Sequence, residues 1–129
     1  MNKDALKTLS AVYVEDEEIV LTQLIGILKH HLKEVYPARN GKEGLELIAK
    51  HDPDVIITDL EMPIMDGLTM ISEVRAKYNH HHPIIVLTGY DDDEHKHDGV
   101  DCYLYKPLKT RELFEKIYEQ AIKYGKLKG

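Results

Sequence analysis

Two hydrophobic rhythms alternate along this chain. Short apolar runs occur at residues 9–14, 54–58, 84–87 and 102–105, with a weaker one at 34–38. Between them, apolar residues recur every three or four positions, the spacing of a helix with one buried face. Val20, Leu21, Leu24, Ile25, Ile27, Leu28 and Leu32 mark a helix over about 16–33. Leu45, Ile48 and Ala49 mark one over 41–51, and Leu68, Ile71, Val74 and Tyr78 one over 67–78. Leu113, Phe114, Ile117, Tyr118 and Ala121 mark a last helix over about 109–124. Strand and helix in strict alternation predict an α/β fold, a parallel sheet covered by helices on both faces. The central runs are apolar throughout, as strands buried on both sides should be. The run at 34–38 contains Pro37, which cannot donate to a ladder, so it is expected at a sheet edge.

Two segments break the pattern. Residues 89–101 carry only Tyr90 and Val100 as large apolar side chains amid six acids, which predicts a helix of one or two turns or an irregular segment. Residues 125–129 form a basic tail, expected to fray or to begin a linker. The remainder, about 9–124, is expected to be a single domain.

Composition adds exclusions. The 129 residues carry a net charge of −6, which suggests no general affinity for nucleic acid or an anionic membrane. A single cysteine, Cys102, rules out a disulfide within the chain and suits a reducing compartment. With no signal-peptide pattern and no stretch of transmembrane length, the expected location is cytoplasmic. The chain is compatible with a stand-alone domain or a piece of a longer protein.

Candidate chemistry gathers where strands end. The first strand runs into Glu15 and Asp16, the third into Asp59, the fourth into Thr88 and the fifth into Lys106. In a parallel sheet these ends are neighbours, and that end is where open α/β sheets bind ligands. Three carboxylates brought together repel one another. A divalent cation relieves this, and all-oxygen ligands suit Mg²⁺ or Mn²⁺. The groups suit phosphoryl transfer to Asp59, a nucleophile already ionised at neutral pH. Lys106 and the metal would stabilise charge on the transferred group, and Thr88 can donate to a phosphoryl oxygen. His80, His81, His82, His95 and His97 read as solvated loop residues in preference to metal ligands, and His30 and His31 as the cationic end of a helix.

These motifs resemble the receiver domains of bacterial response regulators. They are Val14-Glu15-Asp16, Asp59 followed by Met62-Pro63 and Asp66-Gly67, Leu87-Thr88-Gly89 and Tyr105-Lys106-Pro107. The resemblance spans about residues 9–124. It implies a flavodoxin-like, doubly wound five-stranded parallel sheet in the order 2-1-3-4-5, here with a shortened or irregular fourth helix. It implies that Asp59 accepts a phosphoryl group from a histidine kinase or histidine phosphotransfer protein. Asp16, Asp59 and the backbone carbonyl of Glu61 would ligate the metal, and Glu15 would act through a metal-bound water. Lys106 would pair with the phosphoryl group, and its bond to Pro107 would be cis. Thr88 and Tyr103 would form the switch, and Glu61 and Tyr90 would tune the phosphoryl lifetime. The product is a signalling phosphoacceptor rather than a conventional enzyme. Its downstream effector is open, as is a phosphorylation-dependent homodimer.

Three other readings compete. A haloacid-dehalogenase-type phosphatase would use Glu61 as acid/base, but the second aspartate and the cap domain are missing. A nucleotide or flavin module lacks a glycine-rich loop after the first strand. A degenerate scaffold is at odds with the presence of Asp16, Asp59, Thr88 and Lys106.

Overall fold

The computed structural model describes residues 1–128. The strands are β1 (Ser10–Val14), β2 (Glu34–Ala38), β3 (Val55–Thr58), β4 (Ile84–Thr88) and β5 (Cys102–Tyr105). The helices are α1 (Lys3–Leu6), α2 (Glu18–His31), α3 (Gly41–His51), α4 (Gly67–Tyr78) and α5 (Thr110–Lys123). All strand pairs are parallel and the order is β2-β1-β3-β4-β5, the doubly wound arrangement expected. β2 is an edge, and Pro37 sits opposite Tyr13 in the register.

The strand alternation divides the core in two. Ala11, Tyr13, Val55, Ile57, Ile85 and Leu87 face Leu21, Leu24 and Leu28 of α2 and Leu113, Phe114 and Ile117 of α5. Val12, Val14, Ile56, Ile84 and Val86 face Ile48 of α3 and Met70, Ile71 and Val74 of α4. Between β4 and β5 there is only a single 3₁₀ turn, Asp93–His95, so the anticipated shortening is real. Val100 and Tyr103 cover the second core where a full helix would have packed.

Five local expectations are corrected. α2 starts at Glu18, two residues late, because Asp16 and Glu17 belong to the loop leaving β1. Ile27 and Ala49 are exposed rather than core, lying beyond the buried stripes of their helices. The short helix α1 was not expected; Asn2 caps it by accepting the Asp4 N–H, and Leu6 and Leu9 are fully buried. The tail is held as far as Leu127. Gly125, at φ 72°, reverses the chain so that the Lys126 N–H reaches the Ala121 carbonyl at 2.8 Å, and Leu127 packs on the first core. The fifth correction concerns the histidines. His82 is fully buried, its Nε2 2.8 Å from Asp52, while His95 and His97 make ordered contacts described below.

Candidate functional site

The loop after β3 is shaped around close backbone approaches. The Gly67 N–H donates to the Leu60 carbonyl at 2.7 Å, and a Cβ at Gly67 would lie 2.3 Å from the Asp59 carbonyl oxygen. Only glycine fits there, and Asp66 then caps α4 by accepting the Thr69 N–H. Gly41, at the start of α3, donates to the Met65 carbonyl and ties the loop back to the preceding helix. Ile64, at φ 69°, puts an exposed β-branched residue in the left-handed region.

This loop leaves Asp59 at the mouth of the sheet, its Oδ1 accepting the Leu60 N–H at 2.7 Å and its Oδ2 3.2 Å from Lys106 Nζ. Glu15 is buried and accepts the Glu17 N–H, with its other oxygen 3.9 Å from the same Nζ. Glu15, Asp16 and Asp59 each offer an oxygen within 4.8 Å of the others. The ammonium thus meets two of the three clustered carboxylates, Asp59 and Glu15, and among the described residues no ion pair reaches Asp16.

The electrostatics record the crowding. Burial, with Asp59 adding to it, pushes Glu15 up to about 7, against the pull of the Glu17 N–H and Lys106. Burial disfavours charge on Lys106, yet Asp59 and Glu15 outweigh it and hold the ammonium above the ordinary lysine range. Tyr13 lies on the strand leading to this site, its hydroxyl buried without a hydrogen-bond partner and its pKa raised by burial, then by Glu15 and Asp59. Sequence reasoning passed over Tyr13. Its signal was a tyrosine in an otherwise apolar doubly covered strand, two residues before the acid pair.

Thr88 is buried, and its Oγ1 accepts the Tyr90 N–H at 3.1 Å. Its carbonyl accepts the Lys106 N–H at 2.8 Å, which fixes the loop carrying the lysine. The Lys106–Pro107 bond is cis, as the resemblance implies. Tyr103 is half-buried. Its hydroxyl accepts the His97 N–H at 2.7 Å and donates to the His97 carbonyl at 3.2 Å, while Lys96 Nζ sits 4.3 Å from its ring centroid. Glu61 is exposed and accepts the Tyr90 hydroxyl at 3.0 Å. Thus Glu15, Asp16, Asp59 and Lys106 form one cluster, with Thr88, Tyr90 and Glu61 in the adjoining loops and Tyr103 tied to segment 89–101.

The donor set fits a hard divalent cation: the side chains on offer are three carboxylates, they outnumber the one ammonium beside them, and burial with the Asp59 charge pushes Glu15 up to about 7.

The sequence model of the response regulator receiver domain matches residues 11–118. The chain belongs to that family. Receiver domains are phosphoacceptors of two-component signalling, and membership sets aside the phosphatase and nucleotide-module alternatives. This receiver domain is similar to the N-terminal domain of an uncharacterised Wolinella succinogenes protein, with 32% identity and a TM-score of 0.83 over 93% of this chain and 100% of that one. A CheY-like receiver domain protein from Methanospirillum hungatei gives 26% and 0.80 over 92% and 98%. The response regulator TrrA from Thermotoga maritima, crystallised with Mg²⁺ and BeF, gives 30% and 0.76 over 87% and 98%. No helix among the described residues is long and apolar enough to cross a membrane.

Proposed function

We propose that this receiver domain takes a phosphoryl group onto Asp59 from a phosphohistidine of a kinase or phosphotransfer protein, and passes the change to a downstream effector. A carboxylate oxygen of Asp59 attacks phosphorus, the P–N bond breaks, and its electron pair stays with the departing imidazole. Lys106, 3.2 Å from Asp59, is in reach of the incoming phosphoryl oxygens. Asp16, Asp59 and the Glu61 carbonyl would hold Mg²⁺ or Mn²⁺, with Glu15 acting through a bound water. Such an ion supplies neutralisation of charge on the transferred group. The observation that carries the reading is a cluster of three carboxylates, two of which, Asp59 and Glu15, meet the Lys106 ammonium.

Thr88 and Tyr103 are the proposed switch. Thr88 Oγ1 accepts the Tyr90 N–H, which leaves its O–H able to donate to a phosphoryl oxygen while staying bound to that loop. For Tyr103 to turn inward, its hydroxyl must leave both backbone groups of His97. The state of Asp59 is thereby read by segment 89–101, and Glu61 and Tyr90 bear on its lifetime. The effector face is expected there, and a homodimer formed on phosphorylation is one form the output can take.

Intact-mass measurement with Mg²⁺ and a small phosphodonor tests this. A single labile phosphoryl adduct is expected, absent in Asp59→Asn and without added metal. An unmodified wild-type mass under these conditions would sink the proposal.

A further inference from the structure

Segment 89–101 does more than stand in for a missing helix. Its 3₁₀ turn lays the His95 ring on Tyr90, centroids 4.0 Å apart and planes within 6°. Asp92 fixes that ring: its Oδ1 accepts the His95 N–H at 3.1 Å and lies 2.6 Å from Nδ1. The far nitrogen, Nε2, lies 3.5 Å from Glu61 Oε1, while the Tyr90 hydroxyl donates to Glu61 Oε2 at 3.0 Å. Both oxygens of Glu61 thus face groups from the segment after β4. Glu61 stands two residues after Asp59, and Tyr90 two after Thr88. The bridge therefore joins the two loops that flank the Asp59 carboxylate. The hydrogen bond to Glu61, ahead of burial and the Asp59 charge, holds the Tyr90 hydroxyl pKa up.

We propose that His95 is a positioning residue that clamps Tyr90 to Glu61 as a strap beside Asp59, slowing hydrolysis of the phosphoryl group there. This rests on Asp59 being the phosphoacceptor. In hydrolysis a water oxygen attacks phosphorus, the bond to the Asp59 oxygen breaks, and the products are the free carboxylate and inorganic phosphate. The water needs a path in line with the breaking bond. A strap of one phenol and one imidazole, stacked and tied at three points, holds together the loops that leave Asp59 and Thr88 and resists the opening such a path needs. His95 contacts Tyr90, Glu61 and Asp92, so its effect on Asp59 must travel through Tyr90 and Glu61.

The test is the decay rate of the adduct on the isolated protein with Mg²⁺ in excess, after removal of the phosphodonor. His95→Ala and Tyr90→Ala are each expected to shorten the lifetime about threefold to tenfold, the range a lost aromatic stack and its hydrogen bonds imply. The double variant should decay no faster than either single one, because one strap is broken in each. His95→Phe, which keeps the stack and loses the bonds, should fall between wild type and His95→Ala. A purely structural role would instead lower the melting temperature and leave decay unchanged. Unchanged or longer lifetimes in His95→Ala, or fully additive effects in the double variant, overturn the strap while leaving Asp59 in place. A wild-type protein that forms no adduct overturns both.

Discussion

Asp52, Asp54 and Asp101 lie at the end of the sheet where strands begin; Glu15, Asp16 and Asp59 lie where strands finish. At the first end these three carboxylates are all answered. Asp101 accepts Arg75 Nη2 at 2.9 Å, the Ile84 N–H at 2.8 Å and the Tyr124 hydroxyl at 2.6 Å. Asp54 takes the Ser10 N–H at 2.8 Å and its hydroxyl at 3.3 Å. Asp52 takes His82 at 2.8 Å and His81 at 3.2 Å. At the other end, three acids cluster and one lysine answers two of them, Asp59 and Glu15. Matched acids fasten the loops entering β3, β4 and β5. Unmatched acids weaken the fold locally and hold a charge deficit that a cation and a phosphoryl group can use. The difference separates a structural carboxylate from a proposed functional one without reference to residue type.

Breaking the matched end should cost most. Arg75 also donates to the carbonyls of Gly99, His82 and Asn79, and it and Asp101 are each 10% exposed. Arg75→Ala is expected to lower unfolding free energy by about 3–5 kcal/mol, because it strands a buried carboxylate; urea denaturation measures it. His82→Ala should cost about 2–3 kcal/mol through the cavity and the lost Asp52 bond. At the unmatched end, saturating Mg²⁺ should raise stability by about 1–3 kcal/mol. A melting temperature indifferent to the metal would remove the distinction between the two ends.

The ends should also respond to pH with opposite sign. Glu15 rises from the ordinary 4.5 to about 7, so the folded metal-free chain holds a proton between those values that the unfolded chain releases. Its contribution is full below pH 4.5 and is lost as pH climbs through about 7. Burial holds His82 below its ordinary 6.5, so its contribution is present above 6.5 and is lost as pH falls through the lower folded value. Glu15→Gln should remove the loss on the alkaline side, and His82→Gln should flatten the acid side. Stability profiles unchanged by either variant would refute this assignment. The smallest effect expected is in the loop after Asp59. Ile64→Asn should stabilise by about 1 kcal/mol, since asparagine tolerates the left-handed backbone that isoleucine resists.

The proposed site was legible because its members sit at strand ends, and strand ends follow from the apolar runs that precede Asp59 and Thr88. The sheet order was legible through Pro37 and the family resemblance. Burial of His82 was not, because it depends on Asp52, thirty positions earlier, adopting a left-handed cap at φ 45° after α3. Nothing in the triplet His80-His81-His82 distinguishes its last member. The stack of His95 on Tyr90 was hidden for a similar reason: an acid-rich segment reads as solvated until its turn is placed against Glu61. The α1 turn and the Gly125 cap were missed because four-residue elements carry too little periodicity to register.

The most direct test of the account is where a phosphoryl group goes. Borohydride reduction converts an aspartyl phosphate to homoserine, which peptide mass spectrometry locates to a single residue. After treatment with phosphodonor and Mg²⁺, homoserine is predicted at position 59 alone, and at no position when the metal is withheld. Homoserine at Asp52, Asp54 or Asp101, or none at 59 with metal present, would contradict the claim that the unmatched carboxylates are the reactive ones.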